Sequence, residues 1–179
     1  IVSGGSGTWD AGTANWTNAA GSANSAYVPG TAAIFDSSGG NVTVSGTQAF
    51  SGITVNVDGY VFLGDALAIP DSGASIAVGA GDTAIFSNVF MDQGPGSGAL
   101  TVNGLGNVFL TGSSSFSGGT TVSSGTLTIS NGAAVGGVTN ASGAALQVYA
   151  GGLAGATSNA GTLANYGTLA SLTNTGGIA

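Results

Sequence analysis

Residues 104–136 read GLGNVFLTGSSSFSGGTTVSSGTLTISNGAAVG, and this stretch decides how the chain folds. In its last part Leu127 and Ile129 alternate with Thr128, which gives a strand with one apolar face. Segments this short bury an apolar face only against neighbouring copies of themselves, so the stretch predicts one turn, or rung, of a solenoid. It contains three short runs of high β propensity, each bounded by Gly and Ser clusters: Asn107–Thr111, Thr120–Val122 and Thr126–Ser130.

A similar pattern occurs about 66 residues upstream. The offset grows to about 70 residues in the last aligned pair, as a surface loop insertion of roughly four residues would produce. We interpret this self-similarity as a duplication of large rungs within residues 41–150. Three pairs of segments align: Asn41–Ser45 with Asn107–Thr111, Tyr60–Leu63 with Thr126–Ile129, and Ser72–Val78 with Ser142–Val148.

A family resemblance rests on Phe116–Val122, which reads FSGGTTV, and on Ser124–Ile129, which reads SGTLTI. These residues resemble the passenger-associated repeat of bacterial autotransporters, which typically reads YSGGTT-V-x-x-GTL. Phe116 replaces the usual Tyr. The resemblance covers about residues 8–136 and includes Asn15-Trp16, GTAAIFD at Gly30–Asp36 and VTVS at Val42–Ser45. It implies a right-handed parallel β-helix in a secreted or bacterial cell-surface protein. It implies little about activity, because the family includes both adhesins and proteases.

We therefore expect an all-β fold, a right-handed parallel β-helix (β-solenoid) with almost no α-helix. Seven to nine rungs of about 20–25 residues would account for the length. The predicted core is Ile34, Val42, Val44, Ile53, Val55, Val61, Leu63, Ile76, Val78, Ile85, Leu100, Val102, Val108, Leu110, Val122, Leu127, Ile129, Leu146, Val148, Leu163 and Leu169.

Residues 1–179 are expected to form a single continuous solenoid. Residues 1–40 hold Trp9, Trp16, Tyr27 and Phe35, which we interpret as an N-terminal aromatic cap; the alternative is a platform for stacking sugars. Residues 151–179 are expected to form shorter-repeat rungs with strands of two or three residues, either truncated or self-capping. In that region an N-x-G-[TG]-[LI] unit recurs, and its asparagines are expected to form a ladder along the axis: Asn159, Asn165 and Asn174.

The composition excludes several partners. The chain has no Lys, Arg or His and a net charge of −7, yet 42% of its residues are hydrophobic. Binding to a phosphate backbone needs cationic side chains, so we expect no nucleic acid partner. No apolar run approaches the 18 or so residues of a spanning helix, so we expect no membrane insertion of this segment.

The same absences restrict catalysis. Nucleophilic catalysis by Ser–His, Cys–His or Ser–Lys pairs is impossible without His, Cys and Lys. Only seven aspartates remain, and we expect neither an enzyme nor a cofactor. Calcium is the best hypothesis for the aspartates, with Asp58, Asp65 and Asp71 as weak candidates because they lie in predicted turns. The favoured interpretation is that they are solvated turn residues.

Two functions remain open. One is an extracellular or cell-surface structural and adhesive solenoid whose partner is a glycan or a cell surface. The other is a self-assembling subunit of an extracellular fibre or matrix, in which solenoid ends stack on one another. The sequence shows no convincing C-terminal cap, and an open last rung leaves an unpaired strand edge. We therefore expect self-association to involve Ile1 and Val2 at one end and Ile178 at the other.

Overall fold

The computed structural model describes residues 4–17 and 20–179, and the regular elements in that part of the chain are all β-strands. The strands are short because Gly, Ser, Asn and Asp interrupt the sequence every few residues and favour turns. In chain order they are β1 Gly7–Trp9, β2 Trp16–Thr17, β3 Asn24–Ser25, β4 Ala32–Phe35, β5 Asn41–Val44, β6 Gln48–Ala49, β7 Gly52–Val55, β8 Tyr60–Gly64, β9 Leu67–Ile69, β10 Ala74–Val78, β11 Thr83–Phe86, β12 Phe90–Asp92, β13 Leu100–Gly104, β14 Asn107–Leu110, β15 Thr120–Val122, β16 Thr126–Ile129, β17 Ala134–Val135, β18 Val138–Asn140, β19 Ala145–Val148, β20 Leu153–Asn159, β21 Thr162–Asn165 and β22 Thr168–Asn174.

Three parallel sheets form the faces of a β-solenoid. The first face has the order β1-β5-β8-β11-β14-β16-β19-β21. The second face has the order β4-β7-β10-β13-β15-β18-β20, with β17 and β22 also paired to β20, and the third face is β6-β9-β12. A rung such as β8, β9 and β10 visits the first, third and second faces in turn. Within the described residues the hairpin β2–β3 is the one antiparallel pair. No helix of the described chain is long and apolar enough to cross a membrane.

Register along the first face shows that the rungs differ in length. Val42 pairs with Phe62, and Phe62 pairs with Phe86. The number of residues between register partners therefore increases from the first pair to the second. Near the other end Val148 pairs with Asn165, which is the shortest of these three steps. The eight strands of this face mark about seven turns, which confirms the lower end of the predicted number. The step from Val148 to Asn165 is shorter than the about 20–25 residues predicted for a typical rung, and it reaches the region where shorter-repeat rungs are expected. The right-handed winding stays a prediction.

Inward side chains stack in columns along the axis. Ile53, Ile76, Val102 and Val122 are successive register partners on the second face and form one such column. Column packing works because parallel strands lie about 4.8 Å apart, close enough for side chains on adjacent rungs to touch. Most of the predicted core is confirmed, with each of these residues at most 5% exposed: Val42, Val44, Ile53, Val55, Ile76, Val78, Leu100, Val102, Val108, Leu110, Val122, Leu127, Ile129, Leu146, Val148 and Leu163.

Part of the core prediction is wrong. Ile34 is 62% exposed, and Val61, Leu63 and Ile85 are only half-buried. Leu169 is half-buried too, but it packs against the hydrophobic core. Because side chains of a strand alternate between faces, a one-residue error exchanges the buried and exposed sets. Aromatic rings fill the wide early rungs, and the β-branched residues between them lie outside. The buried neighbours that replace the wrong assignments are Ala33, Phe35, Tyr60, Phe62, Ala84 and Phe86.

The aligned segments are not all structurally equivalent. Register leads from Tyr60 along the first face to Leu127, one residue beyond Thr126, with which the sequence alignment paired it. Ser72–Val78 includes β10 of the second face, whereas Ser142–Val148 includes β19 of the first face, so that pairing is wrong. The structural repeat is the single rung, and the duplication within residues 41–150 stays a prediction.

The last strands are longer than expected. β20 and β22 each contain seven residues and pair with each other in parallel. β20 pairs with both β17 and β18 of the preceding rung, so it runs without a break past the corner that Gly136 and Gly137 form there. The prediction of two- or three-residue strands in this region is wrong.

A polar ladder continues the inward columns of the second face at these rungs. Asn140, Asn159 and Asn174 are register partners. Asn140 Nδ2 donates to Asn159 Oδ1 at 2.7 Å, and Asn159 Nδ2 donates to Asn174 Oδ1 at 3.2 Å. The predicted ladder is therefore confirmed for Asn159 and Asn174. Asn165 lies outside it and accepts a hydrogen bond from the backbone N–H of Gly167.

Candidate binding surfaces

The three calcium candidates lie at three different corners of the solenoid. Asp58 follows β7, Asp65 follows β8 and Asp71 follows β9, so the structure does not bring the three carboxylates together. Within residues 4–17 and 20–179, no three His, Cys, Asp or Glu side chains are grouped so as to hold a metal ion.

Each of these carboxylates already contacts backbone. Asp58 Oδ1 accepts a 2.9 Å hydrogen bond from the N–H of Thr83, and Asp65 Oδ2 accepts one of 2.7 Å from Gly46. The carboxylate of Asp71 packs against Gly96, where a Cβ would overlap it. Asp58 and Asp65 therefore hold turns in place.

Asp92 shows the same role most fully. Its Oδ1 accepts from the N–H of Gly98 at 3.1 Å, and its Oδ2 accepts from the N–H and hydroxyl of Ser117 at 3.1 and 2.9 Å. Ser117 belongs to the following rung, so one carboxylate closes a loop and links two rungs. These hydrogen bonds give Asp92 a structural role that needs no bound ligand.

Asp10 closes the turn between the two tryptophans. Its carboxylate accepts from the N–H groups of Thr13 and Gly12 and from the Thr13 hydroxyl. These bonds, with that of the Thr13 N–H the strongest, lower the pKa of Asp10 below its usual value. The turn directs the chain from Trp9 to Trp16.

Aromatic rings close the first rung. Trp9 lies 5.5 Å from Trp16 and 5.1 Å from Tyr27 between ring centroids, and Phe35 and Phe62 pack against the same ring. Trp9 is fully buried and Tyr27 is 4% exposed, so their faces are not available to a sugar. Trp16 is half-buried and packs against the same core, so the packing is that of an aromatic plug.

The second face carries a long polar column on its outer side. Six hydroxyl side chains are successive register partners across six rungs: Ser75, Thr101, Thr121, Thr139, Ser158 and Thr173. All six are exposed or half-buried. Beside them a concave corner rich in glycine, including Gly118, Gly119 and Gly137, produces a shallow depression. We call this column and its concave corner the hydroxyl groove.

The C-terminal edge is the other distinctive surface. Within the described residues β22 pairs with β20 alone. Ile178 is 74% exposed, although its N–H donates to Gly161 and its carbonyl accepts from Leu163. The structure thus leaves the Ile178 side chain free. Ile1 and Val2, the other residues predicted for self-association, lie outside the described residues.

Sequence reasoning missed both the hydroxyl groove and a pair of exposed tyrosines. Tyr149 and Tyr166 stack at 5.9 Å with planes 15° apart, and they are 42% and 72% exposed. The signal for the groove was the repeated Ser or Thr at outward positions. This repetition is recognised only when the register between strands is known, because the rungs differ in length.

Comparison with known proteins adds one relative. Over 161 residues, 85% of this chain, the sequence is 31% identical to the Adhesin BmaC autotransporter of Brucella suis biovar 1 (strain 1330). The chain spans about 4% of the length of that adhesin. No family model matches the chain, and no solved structure matches it. The match and the parallel solenoid together confirm the resemblance to autotransporter passengers.

Proposed function

We propose that this autotransporter-passenger-like solenoid is an adhesive segment, exposed on the bacterial surface and without catalytic chemistry. The similarity to an autotransporter adhesin over most of the chain carries the proposal and implies a secreted or cell-surface location. The fold supports it, because stacked rungs present long, regular outer faces to other surfaces.

The chemistry of the side chains supports a binding role over a catalytic one. The chain offers no His, Cys, Lys, Arg or Glu, and several of its aspartates hold turns, as Asp58, Asp65 and Asp92 do. Attachment to a surface needs none of the missing groups. It needs a rigid module with solvent-exposed polar and aromatic side chains, which the outer faces provide.

Adhesion is tested by displaying the chain on a non-adherent bacterium and counting the cells retained on epithelial monolayers and on glycan-coated surfaces. We expect saturable retention that soluble chain competes away. The control is the Leu127→Asp variant displayed at equal density, because a charge in the core disrupts the fold. Equal retention of the two strains would contradict an adhesive role.

A further inference from the structure

We propose that Tyr149 and Tyr166 form a site of oxidative cross-linking, at which a one-electron oxidant joins two successive rungs by a carbon–carbon bond between the tyrosine rings. The co-reactant is hydrogen peroxide acting through a haem peroxidase. This inference goes beyond the proposed adhesive function and does not depend on it.

The fold places the two rings in contact. Val148 and Asn165 are register partners at the ends of β19 and β21, and the N–H of Tyr166 donates to the carbonyl of Val148. Each tyrosine is the next residue of its own rung, so the two side chains leave the same corner one rung apart. Strands of adjacent rungs lie about 4.8 Å apart, and the rings stack with centroids 5.9 Å apart and planes 15° from parallel.

Both rings lie outside the core. Tyr149 is 42% exposed and Tyr166 is 72% exposed. Backbone bonds fix their positions, because the N–H of Tyr149 donates to Ile129 as that of Tyr166 does to Val148. The exposed side chains are still able to rotate about their own bonds. Two ring carbons therefore approach one another by a tilt of the rings, with no change in register.

The other two tyrosines are protected from an oxidant in solvent. Tyr27 is 4% exposed and Tyr60 is 2% exposed. Their phenols donate to backbone carbonyls, Tyr27 to Thr31 at 2.7 Å and Tyr60 to Asp36 at 3.1 Å. The phenols that solvent reaches are therefore the two that already touch each other.

The composition favours this cross-link over others. A disulfide needs Cys and an isopeptide bond needs Lys, and the chain has neither. The surface of a bacterium is an oxidising environment, and the similarity to an autotransporter adhesin implies that location. Beyond Asp92 the chain also has no Met, Trp, His or Cys, so the tyrosines are the readily oxidised side chains of that part.

The coupling is a two-electron oxidation. Each phenol gives up one electron and one proton, which leaves two tyrosyl radicals. The radicals couple through ring carbons ortho to the oxygens, and the hydrogens on those carbons move to the oxygens and restore both phenols. One hydrogen peroxide accepts the two electrons and two protons and becomes two water molecules. The cross-linked chain has therefore lost two hydrogen atoms.

The new bond would staple neighbouring rungs. The segment between Tyr149 and Tyr166 contains β20 and β21, so the bond closes a loop that includes both strands. A covalent loop lowers the conformational entropy of the unfolded chain, as a disulfide does, and so stabilises the folded state.

The test treats the dilute, folded chain with hydrogen peroxide and a haem peroxidase, and then isolates the monomer. Bityrosine is detected by its blue fluorescence and located by cleavage before aspartate. Asp92 is the last aspartate, so the fragment 92–179 holds Tyr149, Tyr166 and no other tyrosine. Its mass therefore reports on this pair alone.

The test variants are Tyr149→Phe and Tyr166→Phe, which keep the ring and remove the phenol. The matched control is Tyr60→Phe, the same change at a buried tyrosine. Melting curves of all the untreated proteins are compared first, so that any loss of signal is assigned to folded chains.

We expect bityrosine in the wild-type monomer and a 92–179 fragment lighter by two hydrogen atoms. The cross-linked fraction should not change on dilution, and it should fall at least about ten-fold in either test variant, because contact within one chain supplies a high effective concentration. The Tyr60→Phe variant should match the wild type. The oxidised monomer should melt several degrees higher than the untreated chain.

Three results would overturn the inference. One is bityrosine that forms only between copies and disappears on dilution. Another is a 92–179 fragment that gains oxygen and loses no hydrogen. The third is a signal that persists in both test variants. An unchanged melting temperature of the cross-linked monomer would overturn the stapling role.

Discussion

The rings of Phe62 and Phe86 stack face to face, with centroids 4.5 Å apart and planes 6° from parallel. The two residues are register partners on β8 and β11, and both are fully buried. Parallel strands place identical positions directly above one another, so register alone brings the rings into contact. This pair lies in the widest rungs of the solenoid and fills them.

Replacing Phe86 by Ala should lower the free energy of unfolding by about 3–5 kcal/mol, because it leaves a cavity in a column that cannot collapse. Phe62→Ala should have a similar effect. The double variant should lose about 0.5–1.5 kcal/mol less than the sum of the two single losses, because each single variant already removes the contact between the two rings. Urea denaturation followed by tryptophan fluorescence measures these values. Val61→Ala, on the outward side of the same strand, is the control and should cost far less.

Replacing Asn159 by Leu should destabilise the last rungs. The Asn159 amide is fully buried, accepts from Asn140 and donates to Asn174. Each buried polar group left without a partner costs about 1–3 kcal/mol. Thermal denaturation measures the effect, and Asn165→Ala, an exposed site outside the ladder, should change stability little. Equal melting of the Asn159 variant and the wild type would show that the ladder contributes nothing.

Replacing Leu127 by Asp should be severely destabilising, by more than about 4 kcal/mol, because it places an unpaired charge in a fully buried column. The matched control is Thr126→Asp, at the adjacent, half-buried outward position. Circular dichroism should show loss of β structure for the Leu127 variant alone. Comparable damage from both changes would mean that any charge in this strand is disruptive, whichever side it faces.

Alkaline stability should depend on Tyr27. Burial raises the pKa of Tyr27 to about 12, although a side-chain hydrogen bond with Thr31 acts in the opposite direction. Between pH 10 and 12 the unfolded chain then binds fewer protons than the folded chain, so stability falls as pH rises through this window. Below pH 10 the contribution is complete.

Tyr27→Phe is the variant that isolates this effect. It removes the ionising group, so its stability should decline less steeply than that of the wild type above pH 10, even if it is lower at neutral pH. Urea midpoints at several pH values measure the slopes. Parallel curves for the two proteins would contradict a raised pKa at this site.

A chelator should leave the melting curve unchanged. Asp58 and Asp65 accept backbone hydrogen bonds, and Asp71 lies at a different corner from both, so we expect stacking of rungs rather than a metal to carry the stability. Melting with and without EDTA, after dialysis against calcium, is the measurement. A large downward shift in EDTA would restore the calcium hypothesis.

The strand Tyr60–Gly64 shows where sequence patterns fail to predict which side chains are buried. In Tyr60–Gly64 both alternating sets are apolar, with Tyr60 and Phe62 on one side and Val61 and Leu63 on the other. Local alternation assigns the correct side when one set is polar, as with Leu127 and Ile129 beside Thr128. It does not choose between two apolar sets, and only contact with the rings of the neighbouring rungs decides that the aromatic set lies inside.

By itself the sequence determined the class of the fold, most of the core, the autotransporter resemblance and the absence of His, Cys, Lys, Arg and Glu. These depend on residue type and on spacing within a few residues, which are local properties of the chain. The tertiary structure decided the register, and with it the separation of Asp58, Asp65 and Asp71, the burial of Asn140 and the continuity of the hydroxyl groove. Rungs of unequal length bring these groups together or keep them apart, and no fixed sequence period predicts the contacts between such rungs.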